Sequence, residues 1–319
     1  MPRRFDVAVM HDFFVDRLVH VDSLREVMGR VSEKAAAGGG GIRGIAQEEV
    51  RGGNAVNLAH ALARLGLKTL LITHSDKIHE PLLKDAFDGL EAEVRIKPIT
   101  AGLTVAFEER VNVMVGDSGG ASDFGPSRLD REDWTSLEGA RMVCSVNWAA
   151  NRRGTKLLSA LRGRLGKEKP IFLDPADFRD NVQGFRELLE MTAKKHVVDW
   201  LSMNEQEGRA AAEILELRAH DTAEVCLAVA RKLGVVFDLH GVRESFSSEG
   251  TRVARAPVRA VRSRRLTGAG DVWDAGAICG RLRGMDEVQR LGFANRAARL
   301  YLENKEFVPP TFDEVLRAR

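Results

Sequence analysis

Short, β-rich apolar runs recur along this chain with longer helix-compatible segments between them, and that alternation constrains the fold more than any other feature. Phe5–Met10, Lys68–Thr73, Met142–Val146, Pro170–Leu173, Trp200–Met203 and Val235–Leu239 have the length and composition of buried strands. Asn54–Leu65, Arg152–Arg164, Gln183–Ala193, Glu205–Leu215 and Asp221–Leu233 read as helices, the first ended by Gly66 and the last capped by Asp221. Strands separated by helices need crossover connections, so the expected fold class is α/β, a mostly parallel central sheet flanked by helices. Two segments break the rhythm: 13–50, which holds the glycine run Gly38–Gly41, and 93–115, where strand-like stretches follow one another without a helix. Strands inserted into such a frame form flaps over its crevice, so both are expected to be lid insertions on one domain spanning 1–319. Helices over Asp271–Arg283 and Asp286–Asn304 then run to a stop at Pro309-Pro310.

Charge excludes some functions. Lys and Arg number 48 against 46 Asp and Glu, a net charge of +2, which offers a polyanion no long-range attraction. Nucleic acid is therefore not the expected partner. No apolar run approaches the roughly 18 residues that cross a bilayer, so no membrane partner is expected and a cytoplasmic location is. Cys144, Cys226 and Cys279 form no C-x-x-C pair, and His74 and His79 lie off one-face helical spacing, so neither a disulfide framework nor a metal-ligating histidine pair is suggested.

The stretch Thr267-Gly268-Ala269-Gly270-Asp271 carries the most chemistry. Glycines at a helix start let a ligand approach the backbone, and the free N–H groups there favour an anion. A phosphoryl group in transfer is such an anion, and Asp271 beside it would accept the proton of an attacking hydroxyl. By itself the pentapeptide fits a glycine turn with an acidic cap at least as well. Near the other end lies Gly52-Gly53-Asn54-Ala55-Val56-Asn57. Its asparagines, three apart at a helix start, offer donors and acceptors suited to sugar hydroxyls, although Asn54 also reads as a simple N-cap.

Together, these two segments resemble the signature regions of the ribokinase family, the PfkB carbohydrate kinases. The resemblance runs along almost the whole chain: a strand and Asp16 near the start, GGNxxN before a helix, Asn204 and Glu207 as N-x-x-E, TGAGD, and a last helix around Ala294–Leu302. It implies a ribokinase-like three-layer fold with a small β lid, and a phosphotransferase acting on an alcohol. Asp271 would be the catalytic base, with Gly268, Ala269 and Gly270 as the anion hole. Asp16, Gly52, Gly53, Asn54, Asn57 and Arg153 would hold the acceptor, and Asn204, His240, Gly241, Thr267 and Asn295 the nucleotide. Glu207 would hold Mg2+ through water.

This chain also departs from the family pattern. Arg265-Leu266 replaces the usual Asp-Thr before TGAGD, Asp76-Lys77-Ile78-His79 replaces D-x-x-G, and the nucleotide-side loop reads Asp238-Leu239-His240-Gly241-Val242-Arg243-Glu244. Arginines gather at Arg43, Arg152, Arg153, Arg262, Arg264 and Arg265, and guanidinium forks suit a phosphate already on the acceptor. With Asn147–Asn151 and the altered loop, they resemble archaeal members that act on nucleosides or ribose 1-phosphate. The leading expectation is thus ribose 1-phosphate as acceptor, giving ribose 1,5-bisphosphate, with ATP or ADP as donor. A nucleoside kinase (guanosine, cytidine or adenosine), with Trp148 or Phe14 stacking on the base, or another sugar kinase, is the alternative. From other classes, a non-catalytic nucleotide or sugar binder has no need of Asp271. A dinucleotide-binding site at Gly39-x-Gly41-x-x-Gly44 lacks a preceding buried strand. Exposed lid-strand edges make a homodimer through the lid a further expectation.

Overall fold

The structure, a computed structural model, describes residues 5–108, 112–261 and 267–318. Its strands are β1 (Val7–Met10), β2 (Phe14–His20), β3 (Gln47–Gly52), β4 (Thr69–Ser75), β5 (Ala92–Pro98), β6 (Gly102–Glu108), β7 (Asn112–Asp117), β8 (Met142–Val146), β9 (Ile171–Asp174), β10 (Trp200–Asn204), β11 (Val236–His240), β12 (Glu244–Ser248) and β13 (Val253–Pro257). Nine form one sheet in the order β13-β12-β11-β10-β9-β8-β1-β4-β5. From β11 to β5 all neighbours are parallel, and β12 and β13 add an antiparallel edge. This is the three-layer α/β fold that the family resemblance implies.

Both faces of the sheet are buried. Along β1, Ala8 and Met10 join one apolar cluster while Val7 and Val9 join the other, as the two-residue period of a strand requires. One face is covered by helices that include Gly154–Leu165, Val182–Lys195 and Thr222–Leu233. The other is covered by Asn54–Arg64, Ala269–Leu282 and Glu287–Glu303. In Ala269–Leu282, residues 271–280 are all buried, which is why its sequence is apolar on every side. Gly276 permits the contact with the next helix, since a Cβ there would lie 2.8 Å from Ala294 Cα. Among the described residues, no helix is long and apolar enough to cross a membrane.

A second sheet, in the order β3-β2-β6-β7, forms the lid. Asp16 and Leu18 of β2 pair in register with Thr104 and Ala106 of β6, and all four are buried. Leu103, Val113 and Val115 remain 51%, 41% and 64% exposed. The first insertion also holds a helix, Leu24–Ala36, with no buried residue. The second insertion is shorter than the sequence suggests, because Ala92–Pro98 belongs to the main sheet, paired with β4. Its alternating charges mimic an exposed strand, yet Arg95 and Lys97 are covered by the capped helix Arg131–Gly139 and paired with Asp133 and Asp130.

Candidate active site

Strand order reverses between β1 and β8, and in open parallel sheets the ligand crevice lies outside the carboxyl ends at such a point. Side chains just past those ends therefore face one another: Asp12 after β1, Asn147 after β8, Asp174 ending β9, Asn204 ending β10 and His240 ending β11. Asp12 is fully buried and accepts from the Asn54 and Ala55 N–H groups (both 2.9 Å) and from Asn147 Nδ2 (2.8 Å). It thus pins the start of the helix Asn54–Arg64 to the sheet, a carboxylate on free helix amides.

Gly53 precedes that helix with φ +96°, where a Cβ would lie 2.9 Å from the Asp12 carbonyl oxygen. Gly52 is needed for a different reason: a Cβ there would sit 2.1 Å from Asp16 Oδ2, so the lid carboxylate packs directly on it. Asp16 therefore lies buried against the Gly52-Gly53 turn that leads into the Asn54 helix.

The TGAGD turn faces this element. Gly268 caps the helix Ala269–Leu282 in the left-handed region, φ +84°, and its carbonyl neighbour Thr267 accepts from Tyr301 Oη at 2.9 Å. The helix begins at Ala269, two residues before the sequence-based boundary at Asp271, and Asp271 sits in its first turn. Asp271 is 6% exposed, and its Oδ2 accepts from Asn57 Nδ2 at 3.0 Å. Burial, then the charges of Asp174 and Asp12, push its carboxyl well above the ordinary range, while amide hydrogen bonds from Asn57 and Asn54 pull it down. Burial also raises Asp174, to about 6, and Glu207, to about 7, the latter helped by the Asp174 charge.

On the far side of Gly270 opens a cleft of about 650 Å3, within the range of small-molecule sites. Asn204, His240, Gly241, Ala269, Gly270 and Asn295 line it, beside apolar Val242, Val258, Ala298 and Leu302. His240 packs on Trp273, ring centroids 5.2 Å apart, and burial lowers its pKa to about 4, so it is neutral there. Asn204 spends its Oδ1 on the N–H groups of Gln206 and Glu207, and Glu207 Oε2 accepts from the Asn204 N–H in return, a capping box. Asn295 accepts from Trp273 Nε1 (2.7 Å) and donates to the Pro257 carbonyl (3.1 Å), bolting the edge hairpin to the last long helix. Both asparagines border the cleft with their side chains already engaged.

Two sequence expectations meet a different environment. Arg153 is ion-paired with Asp123, so its charge is compensated within the protein. Trp148 is 4% exposed, donates to Thr155 Oγ1 (3.0 Å) and packs on Phe185, which makes it core and not a base-stacking surface. Arg262, Arg264, Arg265 and Leu266 lie outside the described residues. Sequence reasoning also missed Asp12, Arg51, Asp174 and Tyr301. Asp12 follows a buried strand directly, a position that would have marked it.

The fold is similar to that of Arabidopsis thaliana ribokinase complexed with ribose and ATP, with TM-score 0.75, 19% identity and coverage of 99% of this chain and 98% of that one. It is similar also to adenosine kinase from Sinorhizobium meliloti (TM-score 0.78, 18% identity, 95% of each chain). A third similar structure is the nucleoside kinase of Methanocaldococcus jannaschii (TM-score 0.70, 16% identity, 98% and 97%). No curated protein matches the sequence. Residues 12–318 match the family described as prokaryotic ketohexokinase, and a match over nearly the whole chain places this protein in that family, a family of PfkB-type carbohydrate kinases.

Proposed function

We propose that this kinase transfers the γ-phosphoryl group of ATP to a hydroxyl of an uncharged sugar, a ketohexose in the first instance, with Asp271 as the base. The observation that carries the reading is the Asp271 carboxyl, buried at a helix start beside Gly268, Ala269 and Gly270 and bonded to Asn57 of the opposing element. Asp271 takes the proton of the acceptor hydroxyl as its oxygen bonds to the γ-phosphorus, the bond to the bridging oxygen breaks, and ADP leaves. Burial raises the pKa of that carboxyl, which makes it a stronger proton acceptor than an exposed aspartate. The amides at the helix start offset charge on the transferred group. Gly52, Gly53, Asn54, Asn57 and Asp16 hold the sugar, and Asn204, His240, Gly241, Thr267 and Asn295 border the nucleotide. One catalytic unit, closed by the lid, spans the chain.

Charge argues against the ribose 1-phosphate reading. Asp12, Asp174 and Asp271 crowd the acceptor side, while Arg153 is engaged by Asp123 and Arg51 by Asn57 and His60, so among the described residues these guanidiniums already have partners other than a phosphate on the acceptor. The burial of Trp148 removes one support for a nucleoside acceptor. Mg2+ fits the donor chemistry: Glu207 and Asp174, each raised partly by the charge of a neighbouring carboxylate, would gain from a hard cation held by Glu207 through water. Among the described residues no group of three His, Cys, Asp or Glu side chains is placed to hold a metal ion. When bound, Mg2+ neutralises phosphate charge. Leu103, Val113 and Val115 on the lid support a homodimer through that face, which Val115→Asp should weaken in sedimentation experiments.

The test is a matrix of fructose, other ketohexoses, ribose, ribose 1-phosphate and nucleosides against ATP and ADP, reading phosphorylated product by mass. Turnover of a ketohexose with ATP, lost in a folded Asp271→Asn variant, is expected. Preference for ribose 1-phosphate or a nucleoside would overturn the acceptor, and an active Asp271→Asn the base.

A further inference from the structure

Arg51 is the penultimate residue of β3, just before Gly52-Gly53, and lines a pocket of about 260 Å3 with Asn57, His60, Gly268, Tyr301 and Phe307. Its Nη1 donates to Asn57 Oδ1 at 3.1 Å and its Nη2 to His60 Nδ1. A guanidinium has only donors, so the Asn57 atom facing it must be the carbonyl oxygen. The amide nitrogen is thereby turned to Asp271, where it donates at 3.0 Å. His60 anchors the other arm: burial, with the charges of Arg51 and Arg64, lowers its pKa to about 3, and because the guanidinium facing it can only donate, the neutral ring presents Nδ1 as the acceptor.

Asparagine's two ends are alike in size, and without Arg51 only the Asp271 carboxylate holds the carboxamide this way round, a hold that is lost once Asp271 is protonated and can itself donate. Turned over, it would face Asp271 with a carbonyl oxygen, acceptor against carboxylate. We infer that Arg51 is a positioning residue for the phosphoryl transfer: by locking the Asn57 carboxamide it fixes the place and the ionised form of the Asp271 carboxylate. The inference rests on the reading of Asp271 as base. Asp271 also faces Asp12 from the end of β1, Asp174 from the end of β9 and Asp274 one turn along its own helix, and all three are unchanged in the variants below.

The experiment measures kcat and KM for acceptor and ATP between about pH 5.5 and about pH 9 in Arg51→Met, Arg51→Lys and His60→Gln, with folding checked by circular dichroism. Arg51→Met should lower kcat about tenfold or more, leave KM for ATP within about threefold, and move the acid limb of kcat up by about one pH unit. Arg51→Lys, which can still donate to Asn57, should restore part of both effects, and His60→Gln should move the limb the same way by less. In an Asn57→Leu background, Arg51→Met should have little further effect, because its route is gone. An unmoved acid limb, or an equal loss in the Asn57→Leu background, overturns the inference. If Arg51→Met does not fold, Arg51→Lys and His60→Gln carry the same decision. An active Asp271→Asn would remove the base and this inference together, whereas an inactive Asp271→Asn with normal profiles in the Arg51 and His60 variants would remove this inference alone.

Discussion

Replacing Gly268 by alanine tests whether the anion hole depends on one backbone conformation. Gly268 has φ +84°, and a Cβ there would lie 2.7 Å from Tyr301 Oη and 3.7 Å from Asn57 Nδ2. The left-handed conformation costs a residue with a Cβ about 1–2 kcal/mol. Expelling the tyrosine hydroxyl from its 2.9 Å bond to the Thr267 carbonyl costs about 1 kcal/mol more, so Gly268→Ala should destabilise by about 2–3 kcal/mol. Denaturant unfolding reads that value. The same displacement moves the amides at the helix start, so kcat should fall about tenfold or more. Tyr301→Phe supplies the control: alone it should cost about 1 kcal/mol, but in the Gly268→Ala background almost nothing, because the bond is already lost. Wild-type stability and kcat in Gly268→Ala, or additive losses in the double variant, would refute the reasoning.

Arg290, 1% exposed, makes a bidentate pair with the fully buried Asp238 and donates to Ser247, so Arg290→Met should destabilise by about 3–5 kcal/mol, and Arg290→Met/Asp238→Leu should regain most of it in denaturant melts. Because the base must be ionised and burial raises its pKa, kcat should fall as pH drops through a limb well above the ordinary carboxylate range; a limb near pH 4 would contradict this. Chelation of divalent cations should abolish turnover and added Mg2+ should restore it, while Glu207→Gln should raise the Mg2+ concentration needed for half-maximal rate about tenfold.

Much of the frame was legible because buried strands and amphipathic helices leave periodic signals, as in Val7–Met10 and Thr222–Leu233. The β12–β13 hairpin was not, since Ser245, Ser247 and Ser248 are polar yet buried, satisfied by partners that sequence does not reveal. The same limit applied at the site. Glycines and asparagines announced themselves by type, but the bond from Trp273 to Asn295 did not, because those partners lie 22 residues apart in sequence. Arg51 sat beside the glycine pair unremarked, since an arginine next to a motif is usually solvated and only the fold turns it inward.

Asn57 and Asp271 are separated by 214 residues. During synthesis the sugar-side element emerges early, yet its counterpart leaves the ribosome only when most of the polypeptide is made. With Asp271 as the proposed base, a nascent or prematurely terminated chain lacks it, and turnover waits until the final helices dock.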